Sequence, residues 1–244
     1  MYFLIAAALL PAVLLLLYIY RKDCVEREPP RLLAKLLLFG VLSAVPAILL
    51  ERLLGGMIDL LFGRGLLYTA VSNFIGVALV EEGCKLFFLK RGSWRHPAFD
   101  YRFDGIVYAV FVSLGFAGIE NVLYVLQYGL SVAGPRAVFS IPGHMAFGVF
   151  MGLYYSEAKA FFCVGDLQRS RARLRRALVV PVLLHGAYDF CLSVNSGALT
   201  LVFFVLVMLL DVHMLRTVRR CAANDAPMPG TAFSMWNGGP DVRR

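Results

Sequence analysis

No charged side chain interrupts the chain between Tyr2 and Tyr20, and apolar runs of similar length recur as far as residue 215. A run of about 20 apolar residues crosses the hydrocarbon core of a bilayer as a helix. Of the 244 residues, 59% are hydrophobic and 16% charged, whereas a soluble domain carries about 25% charged residues. A chain of this size cannot hide that much apolar surface in one water-surrounded core. The expected fold class is therefore all-α: a polytopic membrane helix bundle of about seven transmembrane helices, near 2–20, 32–50, 66–89, 105–128, 137–155, 177–194 and 198–215. A soluble enzyme and a secreted disulfide scaffold are excluded.

The net charge of +8 reports topology rather than nucleic-acid binding. With the N-terminus outside, 21 of the 24 lysines and arginines fall on the inner side, and only Arg52, Arg64 and Arg136 lie outside. Cytoplasmic segments carry such an excess, which gives N-out/C-in. The cluster from Arg169 to Arg176 holds the fifth loop in the cytoplasm, and binding of anionic lipid or an acidic partner is its alternative use. The first span has no basic residues before it and several after it, the pattern of a reverse signal-anchor. Five scattered cysteines form neither a disulfide framework nor a CxxC motif. One membrane domain, 1–220, is expected, followed by 221–244, whose Asn, Asp, Pro, Gly and Ser read as a disordered cytoplasmic tail. Gly55–Gly65 reads as an outer interfacial segment, and Pro97 ends any helix leaving the third span.

Ionised side chains at mid-bilayer cost about 2.5–3.5 kcal/mol each. Even so, Glu81, Glu82 and Lys85 sit in the third span, Glu120 in the fourth, His144 in the fifth, and His185 and Asp189 in the sixth. Isolated and ionised, the five charged groups would cost on the order of 10 kcal/mol or more, so they must face one another or share a wet cavity. Lys85 follows Glu81 and Glu82 by four and three residues, within reach of both on one helix. Phe116 and Glu120 share a helix face, as do His185 and Asp189, where the carboxylate can orient the imidazole. Asn121 and Tyr124 add hydrogen-bonding groups, and the Gly148-x-x-x-Gly152 pair reads as close helix packing.

The sequence has no HExxH, GxGD or GxxxxGK[ST] motif. Carboxylates with histidines in a bilayer cavity suit water activation by a Glu, with a His stabilising the oxyanion. They equally suit a metal site built from Glu81, Glu120, His144 and His185. Buried carboxylates also serve proton- or cation-coupled transporters, although no internal repeat is visible in the sequence. A non-catalytic membrane scaffold is a third class.

Glu81-Glu82-x-x-Lys85, FDGIVYAVFVSLGFAGIENVLY at 103–124, GHMAFGVFMG at 143–152 and HGAYD at 185–189 together resemble the PrsW family of intramembrane proteases. That family lies within the superfamily of CAAX-prenyl endopeptidases and Abi-type membrane proteins. The likeness spans Leu66 to Cys191. It implies a glutamic-type endopeptidase of the cytoplasmic membrane that cleaves a single-pass membrane protein such as an anti-sigma factor. It further implies Glu81 as the water-activating base with Glu82 its partner, Glu120 in the FxxxE position, and His144 lining the site. His185 would hold the oxyanion and Asp189 would orient His185, with Lys85, Phe116 and Asn121 supporting. No cofactor is expected, with a divalent metal such as Zn the alternative; the expected surroundings are the lipid bilayer and a membrane-protein substrate, without nucleic acid.

Overall fold

The computed structural model describes residues 2–230. Its helices are α1 (Tyr2–Lys22), α2 (Pro30–Phe62), α3 (Leu66–Val71), α4 (Leu79–Ser93), α5 (Asp104–Tyr128), α6 (Ala133–Pro135), α7 (Ile141–Cys163), α8 (Leu167–Ser193) and α9 (Gly197–Ala223). A π-helical turn, Ser72–Ala78, joins α3 to α4 into one rod, and a second, Arg136–Ser140, leads into α7. Seven long helical segments result among the described residues, in the order expected. Five pass as membrane spans on length and apolarity alone. The other two, α3–α4 and α8, carry the acidic pair with Lys85 and the arginine cluster.

Burial sorts the helices into centre and rim. In α5 every residue from Asp104 to Gly118 is buried, and so is Gly143–Gly152 of α7. A helix apolar on all sides belongs in the middle of a bundle. By contrast α1 buries only Ala8, Ala12 and Ile19, a single stripe, and Leu38, Leu42, Val45, Leu49 and Leu53 of α2 are exposed in a row. Such a row suits acyl chains.

Close approach of the central helices depends on glycine. A Cβ on Gly152 would stand 2.5 Å from both the Gly105 carbonyl oxygen and the Ile106 Cα, and one on Gly148 would stand 2.8 Å from the Ser113 Cβ. The Gly148/Gly152 pair is thus the α5–α7 seam. Backbone cannot yield as a flexible side chain can, so Gly152→Ala is expected to destabilise the protein by about 1–3 kcal/mol, read as a lowered midpoint in denaturant or thermal unfolding.

Three expectations change. Helix α2 does not end near residue 50: it runs 33 residues to Phe62, about 50 Å. The stretch read as interfacial is mostly its last turns: the helix runs through Gly55 and Gly56 and stops only at Gly63, whose φ is +57°. The Tyr68 hydroxyl donates to Asp59 at 2.7 Å and closes the turn. The arginine cluster lies on the first turns of α8 rather than in a loop, since Asp166 caps that helix by accepting from the Arg169 N–H at 2.9 Å. Of the tail expected to be disordered, 221–223 complete α9, and 224–230 fold back on the α4–α5 connection. There Tyr101 and Pro227 form a β-bridge, the Arg102 N–H donates to Ala226 O, and Met228 is fully buried. Residues 231–244 lie outside the described residues.

Candidate active site

Four helices bring the expected residues together. Glu81, Glu82 and Lys85 come from α4, Phe116 and Glu120 from α5, His144 from α7, and His185 and Asp189 from α8. The π-turn Ser72–Ala78 immediately precedes the acidic pair, and π-bulges of this kind are frequent at functional sites. Phe74 from that turn packs on α8 where Gly186 has no side chain; a Cβ there would overlap the ring.

The Lys85 ammonium is fully buried and spends its three protons within the site. It lies 3.0 Å from Glu81 Oε2, 2.8 Å from Glu82 Oε1 and 3.1 Å from His144 Nδ1. It also stands 4.1 Å from the centre of the Phe116 ring. Because an ammonium only donates, His144 Nδ1 must accept. The His144 proton is then on Nε2, directed at Glu120 Oε2, 3.0 Å away. His185 is held between carboxylates, with Nδ1 3.0 Å from Glu82 Oε1 and 4.0 Å from Glu81 Oε2, and Nε2 3.1 Å from Asp189 Oδ2. Carboxylates on both ring nitrogens suit an imidazolium donating from each. Phe147 stacks on His185 at 4.8 Å between centroids and fixes the ring plane.

The two adjacent glutamates are not equivalent. Glu81 is on the wall of a cavity of about 1170 Å³, together with Glu120, His144, His185 and Asp189, whereas Glu82 and Lys85 are behind that wall. Leu123, Phe139, Phe203 and Phe204 supply apolar lining, and the cavity reaches Tyr128 and Thr200 at the ends of α5 and α9 away from the basic residues. Glu120 and His185 lie eight residues inside the ends of their helices, about 12 Å in depth.

Three charged wall residues were not foreseen: Glu51, Arg52 and Arg136. Glu51 joins the cavity because α2 continues past the expected end of its span. Arg136, read only as an outer charge, lies on the turn before α7 and places Nη2 2.9 Å from Glu120 Oε2, its Nε donating to Asn121 Oδ1 at 2.8 Å. Asn121 in turn donates to the Ala8 carbonyl of α1 at 2.7 Å, so it supports Arg136 and does not face the acidic pair. Arg136 was marked in the sequence by its isolation on a side almost free of basic residues.

A bilayer-facing bundle that exposes a carboxylate and imidazoles to an internal cavity has what hydrolysis inside a membrane requires, and its class is that of a membrane-embedded peptidase. Residues 28–213 match the family model described as PrsW family intramembrane metalloprotease. The chain belongs to the PrsW family. It is 38% identical over 193 residues to Protease PrsW of Geobacillus kaustophilus (strain HTA426), covering 79% of this chain and 80% of the relative. With Protease PrsW of Oceanobacillus iheyensis the identity is 34% over 223 residues, 91% and 97% of the two chains. Protease PrsW of Bacillus subtilis (strain 168) shares 34% over 198 residues, 81% and 86%. No solved structure matches the chain.

The family description implies a metal, and the site offers donors of the right type. Ligand atoms of Glu81, Glu82 and His144 all lie within 4.8 Å of one another, and carboxylates with imidazole are ligands that Zn²⁺ takes. Those three residues are also the ones that the Lys85 ammonium bonds. A divalent ion and that ammonium are therefore alternatives at one position.

Proposed function

We propose that the protein is a glutamate-dependent intramembrane endopeptidase of the cytoplasmic membrane, whose substrate is a single-pass membrane protein, with an anti-sigma factor the first candidate. The observation that carries this reading is the division of labour in the acidic pair: Glu81 faces the cavity while Glu82 is sealed behind it against Lys85 and His185. An apolar segment of substrate enters the cavity along its aromatic and aliphatic lining, and its scissile carbonyl comes to rest beside Glu81 and His185.

Glu81 then acts as general base. Water bonds to the carbonyl carbon as its proton passes to the Glu81 carboxylate. The oxyanion forms beside the His185 cation, which low dielectric makes effective. The C–N bond breaks as Glu81 returns the proton to the departing amine. Glu82 and Asp189 hold the His185 ring from its two nitrogens, and Lys85 compensates the negative charge behind the base. If the family's metal is resident, Glu81, Glu82 and His144 would hold it, and it would supply Lewis-acid activation of water.

Arg136 and His144 hold Glu120 from two sides. Deleting one partner of such a part-buried charge contact leaves the other less compensated, at a cost of about 1–3 kcal/mol. Arg136→Ala is therefore expected to lower kcat/KM by about 10–100-fold, with fold and membrane insertion preserved. Cleavage rates of one substrate at several concentrations check it.

The reading is tested by co-expression with a panel of single-pass membrane proteins tagged at both ends, anti-sigma factors first. A shortened product whose cut maps to the membrane segment or its edge is expected for at least one. A panel that yields none, with the protein abundant in the membrane, would refute the substrate assignment.

A further inference from the structure

A second group of carboxylates gathers at the opposite, basic end of the bundle. Residues 23–29 link α1 to α2, 94–103 link α4 to α5, and 224–228 follow α9. Beneath the first turn of α5, ligand-type oxygens of Glu26, Asp100 and Asp104 all lie within 4.8 Å of one another. The Glu28 carboxylate is within hydrogen-bonding reach of that of Asp104, and Asp23 and Asp225 stand close by. Arg27, Arg102 and Lys159 act electrostatically on Asp23, Asp225 and Asp100 respectively. Among the described residues no lysine, arginine or histidine forms an ion pair with any of these six carboxylates.

What separates this group from an ordinary acidic surface is the state of its buried oxygens. Asp104 is 0% exposed and Glu28 1%. One oxygen of each is occupied: Asp104 Oδ2 accepts from the N–H groups of Asp100 and Tyr101, and Glu28 Oε2 accepts from the Tyr108 hydroxyl. The other oxygen of each, Asp104 Oδ1 and Glu28 Oε1, is buried with no hydrogen-bond partner, and so are Glu26 Oε2 and Asp100 Oδ1. A buried polar atom left unpaired is costly. Three of these carboxylates converge within 4.8 Å and Glu28 adjoins Asp104, which is more costly still, since like charges repel in low dielectric.

We propose that Glu26, Glu28, Asp100 and Asp104 bind a hard divalent cation, Mg²⁺ or Ca²⁺, that fastens the two cytoplasmic connections to the foot of α5. Donors that are all oxygen, without imidazole or thiolate, select such ions over Zn²⁺. Four carboxylate oxygens, with water in the remaining positions, are enough for either ion. This site is separate from that of Glu81. Asp104 and Glu120 are sixteen residues apart on α5, about 24 Å along the helix. The ion would hold the root of the helix that carries Phe116 and Glu120 at its other end.

The test uses the full chain in detergent, stripped with EDTA and then given MgCl₂ or CaCl₂ while thermal unfolding is followed. At saturation Tm is expected to rise by about 5 °C or more, and the ion giving the larger rise at equal concentration is the preferred one. The variants are Glu26→Gln and Asp100→Asn, because Asp104 also caps backbone N–H groups and its replacement can simply unfold the helix start. In EDTA each variant should be as stable as wild type or more so, since repulsion is relieved, and each should lose most of the cation-dependent rise. Glu81→Gln should keep the whole rise. Tb³⁺, a hard-cation probe excited through nearby tyrosines, should luminesce with wild type, be displaced by Ca²⁺ and fail with Glu26→Gln. No cation-dependent rise, a rise surviving in both cytoplasmic variants, or a rise lost in Glu81→Gln would each overturn the site.

Discussion

Glu81→Gln should leave the protein folded and inserted while lowering peptide-bond cleavage by about 10³-fold or more, within the range that a positioned base contributes. Glutamine keeps the shape of the side chain and can still accept a hydrogen bond from Lys85, which retains Glu82 at 2.8 Å. What it cannot do is take a proton from water. Initial cleavage rates at equal membrane abundance, beside matched Tm values, read this directly. Glu82→Gln should behave differently. That carboxylate is fully buried and joins Lys85 to His185, so its loss should lower stability along with activity. Full activity in Glu81→Gln, with a dead but stable Glu82→Gln, would reverse the two roles.

The largest effect on stability is expected from Lys85→Met. Methionine fits the space but removes the ammonium that bonds both glutamates at 3.0 and 2.8 Å, each of which is at most 6% exposed. Breaking a buried ion pair by deleting one partner costs about 3–5 kcal/mol, because the remaining charge is left uncompensated. The double variant Lys85→Met with Glu82→Gln should be less destabilised than Lys85→Met alone, since contacting residues are not additive. Because Glu81, Glu82 and His144 then present their donors without the ammonium, Zn²⁺ should restore part of the lost Tm in Lys85→Met and have a smaller effect in wild type. Unfolding midpoints of the three proteins with and without Zn²⁺ decide this.

The residues that make the bundle and the heart of the site were plain in the sequence for the same reason: a charge in a bilayer has few places to go. Seven apolar stretches set the helical segments, and the side on which lysines and arginines collect sets the direction expected for them. Contacts within one helix were equally legible, because Lys85 with Glu81 and Glu82, and His185 with Asp189, follow from helical spacing. Contacts between helices were not. That Glu82 bonds His185 and Glu120 bonds His144 depends on helix rotation and crossing, which no local pattern encodes. Glu51 was hidden by the assumption that a span stops at bilayer thickness, while α2 continues to Phe62. Arg136 stood out by its isolation, but a single arginine at a span end also reads as an ordinary topology signal, so its pairing with Glu120 did not follow. The carboxylates at the basic end were least visible: Glu26, Asp100 and Asp225 belong to three segments far apart in the chain, each unremarkable until the fold brings them near the start of α5.

The measurement closest to the central claim is cleavage by purified protein in liposomes, with a double-tagged single-pass substrate co-reconstituted and wild type compared with Glu81→Gln. A shortened product that accumulates with wild type and is absent with an equally folded Glu81→Gln is the expected result. Equal product from both proteins would contradict a catalytic carboxylate at the cavity wall.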